Sequence, residues 1–169
     1  GKTAFELQMV WLEKVCRFAV EHGRIPIFWD DMPLKYAGIW ELVLSDKSEE
    51  EVAKIWNTDK LDEAIDQFPK ECVYMRWKYE DATTPAHRLL LQWYHDKGLK
   101  VMGATAASAG DSPFMPRRDT RSGYVKGFSQ LVADNHLEGI LATAWDDGSP
   151  HLETVWRGFI AQGEFGWNP

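Results

Sequence analysis

Apolar runs of helical period and of strand period alternate along the whole chain, and this alternation constrains the fold more than any other feature. Phe5 to Glu21 carries Phe5, Met9, Leu12, Val15, Cys16 and Ala19 at helical spacing, and His22-Gly23 closes it before an apolar run from Ile25 to Trp29. The next helical region is broken. Leu34 to Leu44 forms one piece, Ser48-Glu49-Glu50-Glu51 opens a second as a capping box, and Lys60 to Phe68 is a third that Pro69 ends. Cys72 to Trp77 reads as a strand, Thr84-Pro85 starts a helix through His95, and Gly98 stops it before a strand from Leu99 to Thr105. Gly110 to Ser122 reads as a long loop, Tyr124 to Asn135 as a helix and Gly139 to Trp145 as the last strand. Leu152 to Gly163 is the closing helix, followed by an aromatic tail, Phe165-Gly166-Trp167. Strands separated by helices are joined by crossovers and lie parallel, so the class is α/β, with about four βα units in a single domain over residues 1–169.

Two architectures satisfy that pattern: an open doubly wound sheet and a segment of a (β/α)8 barrel. The first strand ends in Trp29-Asp30-Asp31-Met32-Pro33 where a nucleotide-binding sheet carries a glycine-rich phosphate loop. Polar and aromatic groups close nearly every strand, at Trp29 to Asp31, Trp77 to Asp81, Thr105 to Ser108 and Trp145 to Asp147, which is where barrel enzymes gather their sites. A barrel segment fits best.

Trp-Asp-Asp occurs twice, at Trp29-Asp30-Asp31 and Trp145-Asp146-Asp147, each time after an apolar run. An indole beside carboxylates suits a sugar, because the ring covers an apolar pyranose face while the acids accept hydroxyl hydrogen bonds. The competing reading is a core tryptophan followed by a loop of solvated acids. Nine tryptophans serve either a carbohydrate site or a large core. Trp11, Trp40, Trp56, Trp93 and Trp156 lie on helical patterns and are expected in packing.

With these residues in place, the chain resembles the second half of the catalytic barrel of family 20 glycoside hydrolases, the β-N-acetylhexosaminidases, in a form like those of gut Bacteroidetes. In that family, tryptophans ending strands five and six line the sugar pocket, matched by Trp29 in Ile-Phe-Trp-Asp-Asp and Trp77 in Met-Arg-Trp-Lys. A Trp-x-Glu motif ends strand eight, matched by Trp145 and Asp147 with Asp shortening the Glu. The resemblance implies substrate-assisted hydrolysis of β-linked N-acetylhexosamine glycans and a substrate-binding set of Trp29, Asp30, Asp31, Trp77, Trp145 and Asp147. The family's adjacent Asp-Glu pair lies at the end of strand four, which would precede Gly1, so no catalytic residue is assigned. Its acetamide-binding Tyr after strand seven has no counterpart in Gly103 to Ser108.

Other classes gain less support. Asp146, Asp147, His151 and Glu153 offer hard or borderline metal ligands, but no His-x-His or His-Glu-x-x-His accompanies them, and helix entry at Ser149-Pro150 explains Glu153 as well. Neither a metal nor a cofactor is implied. Arg117, Arg118 and Arg121 in the long loop could meet an acidic sugar or sulfate, but a solvated loop is the preferred reading. A net charge of −7 without a basic run excludes a nucleic-acid footprint. The apolar stretches are too short for a membrane span, and Cys16 and Cys72 are expected as buried free thiols. The parent is expected to be exported. A non-catalytic sugar-binding module is the alternative function, with a metal-dependent hydrolase behind it. Four strands leave two open edges, so self-association or pairing with the other half of a barrel is expected.

Overall fold

The computed structural model describes residues 1–108, 118–145 and 156–169, without the side chains of residues 118 and 119. Helices α1 (Ala4–Glu21), α2 (Asp31–Ala37), α3 (Trp40–Leu44), α4 (Glu49–Ile55), α5 (Asp59–Glu63), α6 (Pro85–Asp96), α7 (Arg118–Asp134) and α8 (Trp156–Trp167) alternate with strands β1 (Ile27–Trp29), β2 (Val73–Trp77), β3 (Lys100–Ser108) and β4 (Ile140–Ala144). The strands form one parallel sheet in the order β1-β2-β3-β4. Ile27 faces Val73 and Trp29 faces Met75 in one ladder, and Gly103 faces Ile140 in another. Among the described residues strand order equals chain order, without the reversal that makes a switch point in a doubly wound sheet, and this is the connectivity of consecutive βα units in a barrel. The α/β class with four βα units is as the sequence alternation implied.

Contacts divide the chain into two compact units: Gly1–Met75 with Thr84–Val101, and Arg76–Thr83 with Met102–Pro169. In the first, α1 starts at a capping box, with the Glu6 amide donating to Thr3 Oγ1 at 3.2 Å and the Thr3 amide to Glu6 Oε2 at 2.6 Å. Ser48 and Glu51 repeat that arrangement at α4, as the sequence pattern indicated. The expected single helix from Leu34 to Leu44 is two, because Gly38 takes the left-handed conformation at φ 82° and ends α2. The expected helix from Lys60 to Phe68 is α5 and a separate 3-10 turn over Ile65–Gln67.

The core of this unit holds Leu34, Val43, Leu61, Leu90 and Leu91. Beside them Phe68, Tyr74, Trp93 and Tyr94 form an aromatic cluster with ring centroids 5.2 to 6.0 Å apart. Trp93 Nε1 donates to Asp62 at 2.8 Å, and Lys97 pairs with the same oxygen at 2.7 Å. Partial burial raises the Asp62 carboxyl, but hydrogen bonds from Lys97, Trp93 and Thr58 outweigh it and hold the group below its ordinary value.

Cys16 and Cys72 are buried and free, as expected. Burial pushes both thiols up, and the Cys16 sulfur further raises that of Cys72, so both stay protonated at neutral pH. The native chain is therefore expected to resist alkylation by iodoacetamide at pH 8 and to take up two equivalents once unfolded in urea. Fast labelling of the folded chain would contradict this burial.

In the second unit Ala82, Phe128 and Val132 form a core with Leu131, Leu137 and Ile140 against it. Gly103 of β3 lies directly under α7, where an added Cβ would meet Val132 Cγ2 at 2.9 Å and the Phe128 ring at 3.1 Å. Three expectations need correction in this unit. β3 runs on to Ser108, its small residues having hidden the strand. The loop expected up to Ser122 ends earlier, since α7 begins at Arg118. The expected aromatic tail is the last turn of α8. The tryptophans also split: Trp40 and Trp93 are buried, while Trp11 and Trp156 are mostly exposed, because their helices carry more apolar surface than the described neighbours cover.

Candidate functional site

The end of β2 and the residue after β4 build an aromatic platform in the second unit. Trp77 ends β2 and Tyr79 follows two residues on, with their ring centroids 4.9 Å apart and planes at 32°. Tyr79 in turn lies 6.1 Å from Trp145, the first residue after β4. Trp77 and Tyr79 are half-buried and Trp145 nearly half-exposed, so the rings keep accessible surface while packing edge and face on one another.

Charged groups hold this platform from behind. The buried Arg76 guanidinium lies 5.7 Å from the Trp77 ring centroid, and its Nε donates to the Trp77 carbonyl at 3.0 Å. Arg121, almost fully buried on α7, donates through Nη1 to the Tyr79 carbonyl at 2.7 Å. The expectation of Arg121 as a solvated loop residue or an anion contact is thus corrected: it is a helical residue that fixes the backbone under Tyr79. Asp81 accepts from the Thr83 amide at 2.8 Å and hydroxyl at 2.6 Å, closing the turn after the platform. The Lys78 amide donates to the Ala104 carbonyl at 3.1 Å, tying the same segment to β3.

On the other side, the Trp145 amide donates to the Ser108 carbonyl at 3.1 Å, which places the indole against the end of β3. The Ser108 hydroxyl is buried and lacks a hydrogen-bond partner among the described residues. Thr105 and Thr143 are used by the scaffold, with the Thr105 hydroxyl donating to Gln162 Oε1 at 2.8 Å and that of Thr143 to the Thr105 carbonyl at 2.9 Å.

The sequence-derived residues fare unequally. Trp77 and Trp145 are brought together through Tyr79. Trp29 ends β1 in the first unit with its ring partly exposed. Asp30 is fully buried and accepts from the Tyr94 hydroxyl at 3.0 Å, and Asp31 opens α2 and pairs with Lys35 at 2.8 Å. Asp146, Asp147, His151, Glu153 and Arg117 lie outside the described residues. Sequence reasoning marked the strand-end stretches that hold Tyr79 and Ser108 without singling out either residue, and it missed the supporting role of Arg76. The signal for Tyr79 was its position among the aromatic and polar residues just beyond the end of β2.

Among the described residues, no group of three or more His, Cys, Asp or Glu could hold a metal ion, and no helix is long and apolar enough to cross a membrane. A separate cleft in the first unit, of about 610 Å³ and lined by Phe5, Tyr36, Lys60, Glu63 and Gln67, involves no strand end. No protein-family model matches the chain, and no curated protein matches it.

Proposed function

We propose that the chain grips sugar for a carbohydrate-active hydrolase whose (β/α)8 barrel resembles that of the family 20 β-N-acetylhexosaminidases, of which these four βα units would be the second half. The platform of Trp77, Tyr79 and Trp145 carries this reading. Rings held by packing and by Arg76 and Arg121 can meet the apolar face of a pyranose at little ordering cost, which is how a shallow site gains affinity for a hydrated ligand. Asp147 is proposed from the sequence as a further sugar contact that accepts ring hydroxyls, whereas Asp30 is taken up by the Tyr94 hydroxyl and Asp31 by Lys35. In the implied reaction the acetamide oxygen of a β-linked N-acetylhexosamine displaces the aglycone while an acid protonates the leaving oxygen. The residues assigned here hold the ring.

A non-catalytic sugar-binding module would use the same platform. On either reading the adjacent Asp-Glu of this sequence, Asp62-Glu63, is no acid for the platform, since it lies in α5 and Asp62 is occupied by Trp93, Lys97 and Thr58. Titration of the 169-residue chain with N-acetylglucosamine and its β-1,4 dimer, followed by tryptophan fluorescence, is expected to give saturable binding near the millimolar scale, or about −4 kcal/mol. An unchanged spectrum at tens of millimolar sugar would sink both forms of the reading. With an aryl N-acetylglucosaminide, the isolated chain is expected to show no turnover. Rates ordinary for enzymes, about 1 to 1,000 per second, would place the general acid within these residues.

A further inference from the structure

We propose that Cys16 and Cys72 are a disulfide-forming pair, closed while the chain folds by exchange with a small-molecule disulfide, and that the bond fastens α1 to the start of β2. These are the only two cysteines in the sequence, they lie far apart along it, and the fold brings their thiols within hydrogen-bonding reach of one another. Cys16 sits on the inward stripe of α1 with Met9 and Leu12, and Cys72 directly precedes β2. Both are almost fully buried. A lone buried thiol packs as a small apolar group, and alanine or valine would serve such a core position as well. Metal binding does not explain the pairing either, because among the described residues no group of three or more His, Cys, Asp or Glu could hold an ion. What two thiols in contact can do, and two alanines cannot, is join.

Burial also fixes when the bond can form. Exchange needs a thiolate, and in the folded chain burial, with the Glu71 carboxylate near Cys16, keeps the thiols protonated and away from solvent. The unfolded chain has no such protection. There one cysteine thiolate attacks a sulfur of the small disulfide and expels its other half; the second cysteine thiolate then attacks the protein sulfur of this mixed disulfide and expels the remaining half. Each expelled thiolate takes up a proton that a cysteine gave up. The protein is oxidised by loss of two hydrogens, and the small disulfide is reduced to two thiols. The closed loop spans about 56 residues, so the bond removes much of the freedom of the unfolded chain, and folding then seals it from reductant.

The pair belongs to the first unit, and its test uses no sugar. The 169-residue chain is unfolded in urea with a reductant and then refolded by dilution either into more reductant or into a mixture of reduced and oxidised glutathione. Refolding under reductant should keep the two free thiols described above. Refolding with glutathione is expected to give a monomer lighter by two hydrogens, without bound glutathione and without a thiol that iodoacetamide can reach in urea. Its melting temperature should stand about 10 °C above that of the reduced chain. Cys16→Ser and Cys72→Ser, each compared with itself under the two refolding conditions, should show no such gain. Two free thiols after refolding with glutathione overturn the proposal, as do glutathione retained on either cysteine, linkage between chains, or an oxidised chain that melts no higher than the reduced one.

Discussion

Replacing Trp77 or Trp145 by alanine is expected to weaken sugar binding at least tenfold, about 1.4 kcal/mol, with little change in melting temperature. Both rings are partly exposed and pack on Tyr79, outside the Ala82, Phe128 and Val132 core. Tyr79→Ala should match them, since its ring joins the other two while the backbone carbonyl that Arg121 holds is retained. Trp93→Ala should do the opposite. Its ring is buried among Phe68 and Tyr94 and its Nε1 donates to Asp62, so truncation should cost about 3 to 5 kcal/mol of stability. The affinity of the molecules that remain folded should be unchanged. Calorimetric titration beside thermal melts separates the two behaviours. Equal losses of affinity for all four variants, tracking loss of fold, would return Trp77 and Trp145 to a packing role.

Two glycines on α8 should respond to alanine in opposite directions. At Gly158 an added Cβ would overlap the Ala107 carbonyl oxygen and come within 2.5 Å of its Cα, and backbone atoms cannot swing aside as a side chain does. Gly158→Ala is therefore expected to destabilise by about 3 kcal/mol or more, beyond the roughly 1 kcal/mol that alanine gains over glycine in a helix. Gly163 meets nothing within 4 Å, so Gly163→Ala should stabilise by up to about 1 kcal/mol. Urea unfolding of both variants gives the comparison. A Gly158→Ala chain as stable as wild type would mean that α8 does not lie on β3 at this point.

What the sequence made legible were features with a local cause. The strand and helix alternation, the Ser48 capping box, the stop at Gly98 and the proline at the start of α6 all act within a few residues, and all appear in the fold. The boundaries that failed have non-local causes. Lys100 to Ser108 is rich in alanine, which favours helix, and is a strand because of its neighbours, with Gly103 under α7 and Ala107 under Gly158. Arg118 to Ser122 is polar enough to read as a loop, and it is helix with Arg121 turned inward to a carbonyl from a segment 42 residues away. For the site, composition flagged the tryptophans but not which of them would meet. Trp77 and Trp145 are far apart in the chain, and only the sheet order and Tyr79 join them. Asp30 shows the reverse: a carboxylate that looked available for ligand is buried against the Tyr94 hydroxyl.

One irregularity in the ladder governs the geometry at the end of β3. Ala106 lies opposite Thr143 and Ser108 opposite Ala144, so β3 uses two steps where β4 uses one, with Ala107 as the supernumerary residue. Side-chain identity at Ala107 is then less important than its presence. Deleting that residue would restore an even ladder, turn Ser108 to the opposite face and leave the Trp145 amide facing a different carbonyl. Among sequences built on this plan, the end of β3 should therefore accept exchanges of small residues at the bulge far more readily than any change in residue number.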